Sequence, residues 1–493
     1  MSKFLVGWDE QSIVPDKKVR LAGQFYERIS EYVETDITVT AMAVQTDNDS
    51  MILVSCDLTF AYRELIVCAR KKLAKLLPEF PQDKLIIGAT HTHTSLMIKE
   101  ETEFKKEIFG EFIPQEKEYS ELVENDDSVI STDEAFELAV DKIVTASYNA
   151  WKNRSEAKYA NEFGRAAVGF CRRVQYDDET AQMWGDTNTA NFEAMEGGND
   201  SGVELLYMFD KNEKLTGIVA NVACPSQALE HRSFVSADYW GYTKENLRKK
   251  FGENIYLLAM CGAGGDQCPR DLVRWVEPEI PINDPNIDRP NVIERKADPS
   301  MFDVKGCKLI GKRLANEIIS VFEEIEEIKD DIVFEHKTKV LNLPLRRATI
   351  SEYNNAVREI EYFFNKNKDK EEFNFKDKAA MHIYAGIIER FREQQLKEVV
   401  PSEVHFIRFG DIAIASNPFE LFLDFGNQIK ARSFAKQTFI MQMSCDSLGY
   451  LPTEKAERHG HYSANIASGN VGHKGGEQLV RESITEINKL FSK

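Results

Sequence analysis

The chain has no apolar run approaching the roughly 18 consecutive residues of a membrane-spanning helix. It also has no internal repeat and no linker-like stretch of Gly, Ser or Pro; its 27 glycines and 15 prolines are dispersed through 493 residues. Helical membrane proteins, solenoids and low-complexity scaffolds are thereby excluded. The eight cysteines (56, 68, 171, 224, 261, 268, 307 and 445) include no CxxC pair and form no dense framework. Such scattering fits reduced thiols better than disulfides. The N-terminal MSKFLVGWDEQSIVP has only a short apolar run before Trp8-Asp9-Glu10, so it does not read as a secretory signal, and a cytoplasmic protein is expected. Positive charge is scarce: Lys plus Arg is 62 against 81 for Asp plus Glu, a formal charge of −19. That balance repels nucleic acid and anionic membrane surfaces, leaving a small-molecule substrate as the expected partner, with no stable membrane association. Residues 99–137 carry fourteen acidic and four basic side chains, about half of the excess.

Apolar residues make up 42% and charged residues 29%, as in a globular protein with a sizeable core. Short runs rich in Val, Ile and Leu alternate with longer helical patterns. Several of those runs are apolar on both faces, as in sheets covered on both sides. The expected fold class is α/β, a single large mixed domain over residues 1–493 with sheets covered by helices. Two segments interrupt the pattern, an acidic insertion at about 99–131 and a Pro/Asp-rich loop at 269–298. Both are read as rims or lids of a site.

Polar residues gather where apolar strands end. Gly88-Ala89-Thr90-His91-Thr92-His93-Thr94 follows Leu85-Ile86-Ile87, and in an extended chain His91 and His93 share a side. Two close imidazoles suit a metal ligand beside a general acid, or two ligands; hydrogen-bonded histidines at a strand end would read the same way. Asn221–Gln227 holds Cys224 and continues through His231 to Asp238. Gly262–Arg270 holds Cys268 behind a Gly-rich turn, but no GK[ST] follows, so it is no phosphate loop. Asn417-Pro418-Phe419-Glu420 opens an expected helix over 419–431, where Glu420 caps the helix or binds a cation. Tyr450 and Tyr462 lie twelve residues apart.

In this order the motifs resemble the catalytic N-terminal domain of the neutral/alkaline (non-lysosomal) ceramidase family, here as a cytoplasmic member without the C-terminal immunoglobulin-like domain. The family's G-A-T-H-T-H-S is matched by Gly88–Thr94. Its N-x-x-A-x-H-P segment, fourteen residues before an Asp in S-x-D-x-x-G-Y, is matched by Asn221–Pro225 and Ser236–Tyr242, with Cys224 in place of the His. G-D-x-S-P is similar to Gly265–Pro269, with Cys268 in place of the Ser, and P-x-E to Pro418–Glu420. The tyrosine pair matches Tyr450 and Tyr462, and the family's substrate arginine is most like Arg172.

This resemblance implies a Zn²⁺-dependent amidase. The implied metal ligands are His91, Cys224, Glu420 and Tyr450, with His231 as the alternative to Cys224. A metal-activated water would attack an amide or ester carbonyl of a small soluble substrate. His93 and Tyr462 would stabilise the oxyanion or protonate the leaving group, Arg172 would orient substrate, and Cys268 would line the pocket. Two alternatives stand beside it: a cysteine hydrolase with Cys268 activated by His93, and a family member that only binds metal or ligand.

Overall fold

A computed structural model describes residues 4–99, 127–276, 296–297, 303–370 and 375–492. Most of the acidic insertion and most of the Pro/Asp-rich loop therefore lie outside the described residues.

The larger sheet has eight strands: β1 (Leu5–Ser12), β2 (Thr38–Gln45), β3 (Ser50–Cys56), β4 (Leu85–Ala89), β5 (Ser155–Arg165), β6 (Gly202–Asp210), β7 (Leu215–Val222) and β8 (Tyr256–Cys261). They run in the order β8-β7-β6-β5-β1-β2-β3-β4. Helix α1 (Arg63–Leu76) joins β3 to β4, and α2 (Thr132–Lys152) precedes β5. Ser131 caps α2 in a reciprocal capping box with Glu134, satisfying two otherwise unpaired N–H groups. The apolar stripe of α2, including Ala139, Val140, Ile143 and Ala146, is buried, and the helix packs on β1 and β2. Helices α3 (Tyr239–Phe251) and α4 (Asp303–Glu323) pack on each other, and α4 also covers β5.

The second sheet holds β9 (Phe334–Pro344), β10 (Val399–Phe409), β11 (Ile412–Ser416) and β13 (Gln437–Met441), in the order β9-β10-β11-β13. Helices α5 (Ile350–Lys366) and α6 (Phe375–Glu393) form a hairpin between β9 and β10, with its own small core around Ala356, Ile360 and Ile388. Between β11 and β13 lie a two-residue strand β12 (Glu420–Leu421) and helix α7 (Leu423–Arg432). Strand β14 (Tyr450–Leu451) pairs in parallel with β12, and α8 (His473–Phe491) closes the described chain against α7, β9 and β10.

The two sheets share a core in which Ala41, Met42 and Ile52 of the first join Ile407, Ile414 and Phe439 of the second. This is why β2 and β3 are buried along nearly their whole length and carry no polar face. Asn221 on β7, only 2% exposed, stitches the sheets together. Its Nδ2 donates to the carbonyls of Met260 (3.1 Å) and Ile440 (2.9 Å), and its Oδ1 accepts from the Ile440 N–H at 3.2 Å.

Candidate metal centre and active site

Within the two sheets, parallel neighbours are β3–β4, β7–β8 and β11–β13. The loops leaving these strands carry all the candidate side chains except Arg172 and Tyr462, consistent with the tendency of α/β sites to collect at carboxyl ends of strands.

After β4 the backbone does not stay extended: His91 is left-handed, with φ of 62°. The loop is held by Thr90 N–H to Cys56 O (2.9 Å) and Thr92 N–H to Leu58 O (3.1 Å), and Thr59 Oγ donates to Thr92 O at 2.9 Å. The two imidazoles are nevertheless brought together, with ring centroids 4.7 Å apart and planes at 84°. A strained residue at a constellation of this kind is a recurring feature of functional sites.

His91 Nδ1 lies 2.8 Å from the Thr59 carbonyl. A carbonyl only accepts, so Nδ1 carries the proton and Nε2 presents a lone pair. That lone pair faces Glu420 Oε2 at 3.5 Å, and both side chains are buried, 4% and 7% exposed. Two buried acceptors facing each other call for a cation or an added proton between them. Tetrahedral zinc with arms of about 2.0–2.1 Å sets adjacent N and O donors about 3.4 Å apart, so the pair fits that ion.

Glu420 reaches this place on β12, in register with Tyr450 on β14. It does not open a helix; α7 begins three residues later, at Leu423. Burial and the Glu420 carboxylate push the Tyr450 phenol well above its ordinary pKa. The Tyr450 oxygen accepts from Arg172 Nη2 at 3.2 Å, and its ring meets Tyr462 edge-on at 5.5 Å. Arg172 also donates to the carbonyl of Gly265 (3.0 Å) and to Gln227 Oε1 (3.3 Å). It arrives through the pairing of Phe170–Cys171 with Gln267–Cys268, which leaves its own N–H bonded to Asp266 O at 2.9 Å.

Both ring nitrogens of His93 are buried without a hydrogen bond, Nδ1 lying 3.7 Å from Glu230 Oε2. Burial, His91, Arg28 and Arg172 all hold its pKa well below the ordinary value, so it is neutral at physiological pH. Glu230 escaped the sequence analysis. It precedes His231 in an irregular segment, and no motif marks its approach to His93.

The structure brings His91, His93, Glu420, Tyr450, Tyr462 and Arg172 into one linked group. It does not bring Cys224 into it. Cys224 Sγ is fully buried near the carbonyls of Val168 (3.7 Å) and Pro225 (3.5 Å), within the core under α3 and α4. Among the described residues, the one trio of His, Cys or carboxylate ligand atoms mutually within 4.8 Å is Glu403, His405 and Cys445, outside the expected set. The alternative His231 is also elsewhere, its Nε2 3.5 Å from Asp303 Oδ1, a carboxylate that also pairs with Arg232. Cys268 is buried with Sγ 3.3 Å from Arg270 O, and burial pushes its thiol up to about 12.

This arrangement of two mixed sheets is similar in fold to solved neutral ceramidase structures. The chain superposes on neutral ceramidase from Pseudomonas aeruginosa with a TM-score of 0.64 at 12% identity, over 99% of this chain and 75% of that one. It superposes on a ceramidase complexed with C2 with a TM-score of 0.66 at 12% identity, over 100% and 76%. No family model and no curated protein matches the sequence.

Proposed function

We propose that the protein is a zinc-dependent hydrolase of ceramidase type that cleaves an amide or ester of a small soluble substrate. The observation that carries this reading is the pair of buried acceptors, His91 Nε2 and Glu420 Oε2, at 3.5 Å. His91, Glu420 and Tyr450 would hold the metal. Cys224, turned into the core, is left out of that set. Bound there, zinc would supply an activated water and polarise the scissile carbonyl.

The chain's own groups do the rest. His93, neutral and buried, donates a hydrogen bond to the developing oxyanion without needing a proton from solvent. Glu230 orients its ring. Tyr462 delivers a proton to the leaving group, and Arg172 fixes Tyr450 while presenting charge to the substrate. Cys268 lines the pocket wall. No helix of the described residues is long and apolar enough to cross a membrane. The acidic balance of the chain favours a soluble substrate, and a cytoplasmic location and one catalytic domain over residues 1–493 belong to the same proposal.

The test is zinc content and hydrolysis of an amide and ester panel for the wild type, His91→Ala and Glu420→Ala. Each substitution is expected to remove one zinc equivalent and to abolish turnover. Metal content untouched by both would sink the ligand assignment. Efficient cleavage of a long-chain ceramide in preference to the soluble panel would overturn the substrate class.

A further inference from the structure

Arg172 is buried, yet all three acceptors it donates to are neutral: Gln227 Oε1 (3.3 Å), the Gly265 carbonyl (3.0 Å) and the Tyr450 oxygen (3.2 Å). Glu420 and Glu230 act on it only through space. Each faces a histidine instead, at 3.5 Å from His91 Nε2 and 3.7 Å from His93 Nδ1. Buried charges are ordinarily paired, so a guanidinium held in this way calls for an anion. Two further donors lie unused beside it. Arg172 Nε and Gln227 Nε2 are both buried without a hydrogen-bond partner. The Gln227 amide cannot turn to hide its donor, because a guanidinium only donates and Nη1 therefore takes Oε1. Leaving such donors unmet is costly.

Both donors stand close to the reacting groups. The Ser226 carbonyl, one residue before Gln227, accepts from the His93 N–H at 3.2 Å. Trp184 brings a second cation alongside. Its N–H bonds to Arg172 O at 2.8 Å, and its backbone is left-handed, with φ of 58°, which a bulky residue adopts only under constraint. So placed, its ring centroid lies 5.9 Å from the Arg172 guanidinium carbon and 5.3 Å from that of Arg270, which is also buried. Two buried guanidiniums thus share one indole beside the candidate centre.

We propose that Arg172, Gln227 and Arg270 form the recognition site for a carboxylate on the leaving-group side of the substrate, which makes that substrate an acylated amino acid or hydroxy acid. The inference rests on the hydrolase reading above, in which Tyr462 serves the leaving group. Tyr462 packs on Tyr450, which Arg172 holds, so the unmet donors fall on that side. Two such donors, Arg172 Nε and Gln227 Nε2, match the two oxygens of a carboxylate, and Arg270 adds charge across the Trp184 ring. For the amide, the C–N bond breaks and the acyl carbon takes the water oxygen. Both water protons end on the leaving nitrogen, and a free amino acid is released.

The experiment uses the full wild-type chain with short-chain N-acylglycines and the matching N-acylethanolamines, which offer the same amide with and without the carboxylate. The kcat/KM, read as amine released, is expected to favour the glycine series by about 100-fold or more. Gln227→Glu keeps an acceptor for Arg172 but sets a negative oxygen against the substrate, and is expected to collapse that ratio to about 1. Binding is read separately, by calorimetry with the ketomethylene analogue of N-acylglycine, whose methylene in place of the amide N–H prevents hydrolysis. The wild type is expected to bind it at least about 10-fold more tightly than Gln227→Glu does. Equal binding by the two chains, or turnover without preference for the glycine series, overturns the carboxylate site; turnover of the ethanolamines then leaves the hydrolase reading standing. Differential binding of the analogue with no turnover of either series supports the carboxylate site and sinks the hydrolase reading instead. Should Gln227→Glu not fold, Gln227→Met, which lacks the donor, is expected to weaken analogue binding about 10-fold, and unchanged binding overturns the site.

Discussion

Gly265 is the point where the candidate centre depends most directly on a missing side chain. A Cβ at this position would lie 2.3 Å from the Glu420 carbonyl oxygen, 2.7 Å from its carbonyl carbon and 3.1 Å from the Leu421 carbonyl carbon. All three are backbone atoms, so no rotamer relieves the clash. The Gly265 N–H to Leu421 O bond of 2.8 Å resists separation of the two segments. Restoring ordinary contact moves β12 by about 1 Å; overpacking costs about 1–3 kcal/mol and a strained or lost hydrogen bond about 1 more. Gly265→Ala is therefore expected to destabilise the protein by about 2–4 kcal/mol. The same shift carries Glu420 away from His91. A misplacement of about 1 Å at a reacting centre costs on the order of 100-fold in rate. Gly198→Ala, where an added Cβ meets nothing within 4 Å, is the control. Urea unfolding of both variants, with metal affinity and turnover, reads the result. If Gly265→Ala unfolds with the midpoint of Gly198→Ala and keeps its metal, the argument that β12 is wedged against this loop is wrong.

Asn221→Ala removes two hydrogen bonds between the sheets and one within the first sheet, and strands buried backbone groups. It should cost about 3 kcal/mol or more in urea unfolding, and a loss below 1 kcal/mol would show that the sheets hold together without it. Iodoacetamide at neutral pH is expected to leave turnover intact, and Cys268→Ser to retain it, because the thiol is buried and pushed up to about 12. Rapid inactivation protected by substrate and lost in Cys268→Ser would restore the cysteine-hydrolase mechanism. Burial opposes the Glu486 charge, but Lys337, Lys489 and Lys339 outweigh it and hold the carboxyl down at about 2. Its folded pKa is thus below the unfolded value, so the stability it contributes is present above about pH 4.5 and is lost as pH falls toward 2. Glu486→Gln should lower stability at neutral pH by about 1 kcal/mol, given the exposure of the lysines, and flatten the acid limb in that window; an unchanged limb would contradict the assignment.

Much of the fold was legible because its strands are apolar on both faces and its helices carry capped, periodic stripes. The capped, periodic runs at 132–152 and 350–366 form helices with those bounds. Strand β5 carries no such signal, for a physical reason. SEAKYANEFGR is rich in residues that disfavour strands, and it is held in place by pairing along β6 and by α4 packed over it. Glu420 was read into a helix because an apolar periodic run follows it. Its N–H bond to Gly449 O and its pairing with Tyr450 draw it into a strand instead. The HxH spacing located both imidazoles, yet the reason offered, alternation in an extended chain, is not the one the structure uses. A left-handed His91 does the work. Gln442 was not legible at all. Its Oε1 accepts from the N–H groups of Gly264 (3.1 Å) and Leu421 (2.9 Å), joining three loops through contacts distant in sequence.

The placement of Cys224 bears on the electrostatics of the candidate centre. As a thiolate ligand it would have added a negative charge to the centre and weakened the metal as a Lewis acid. In the structure its backbone keeps a role while its side chain does not: the Cys224 carbonyl accepts from Tyr239 Oη at 2.7 Å, and the sulfur stays neutral in the core. The polar groups beside His91 then include one carboxylate, Glu420, and the Tyr450 phenol, which burial and Glu420 push well above its ordinary pKa against the pull of Arg172. A centre with that composition retains net positive charge when loaded. A thiolate beside His93 would raise its pKa, whereas burial, His91, Arg28 and Arg172 hold it well below the ordinary value. The close approach of this loop rests on Gly169, where an added Cβ would meet the Ala223 carbonyl oxygen at 2.6 Å and Cys224 Cβ at 3.1 Å.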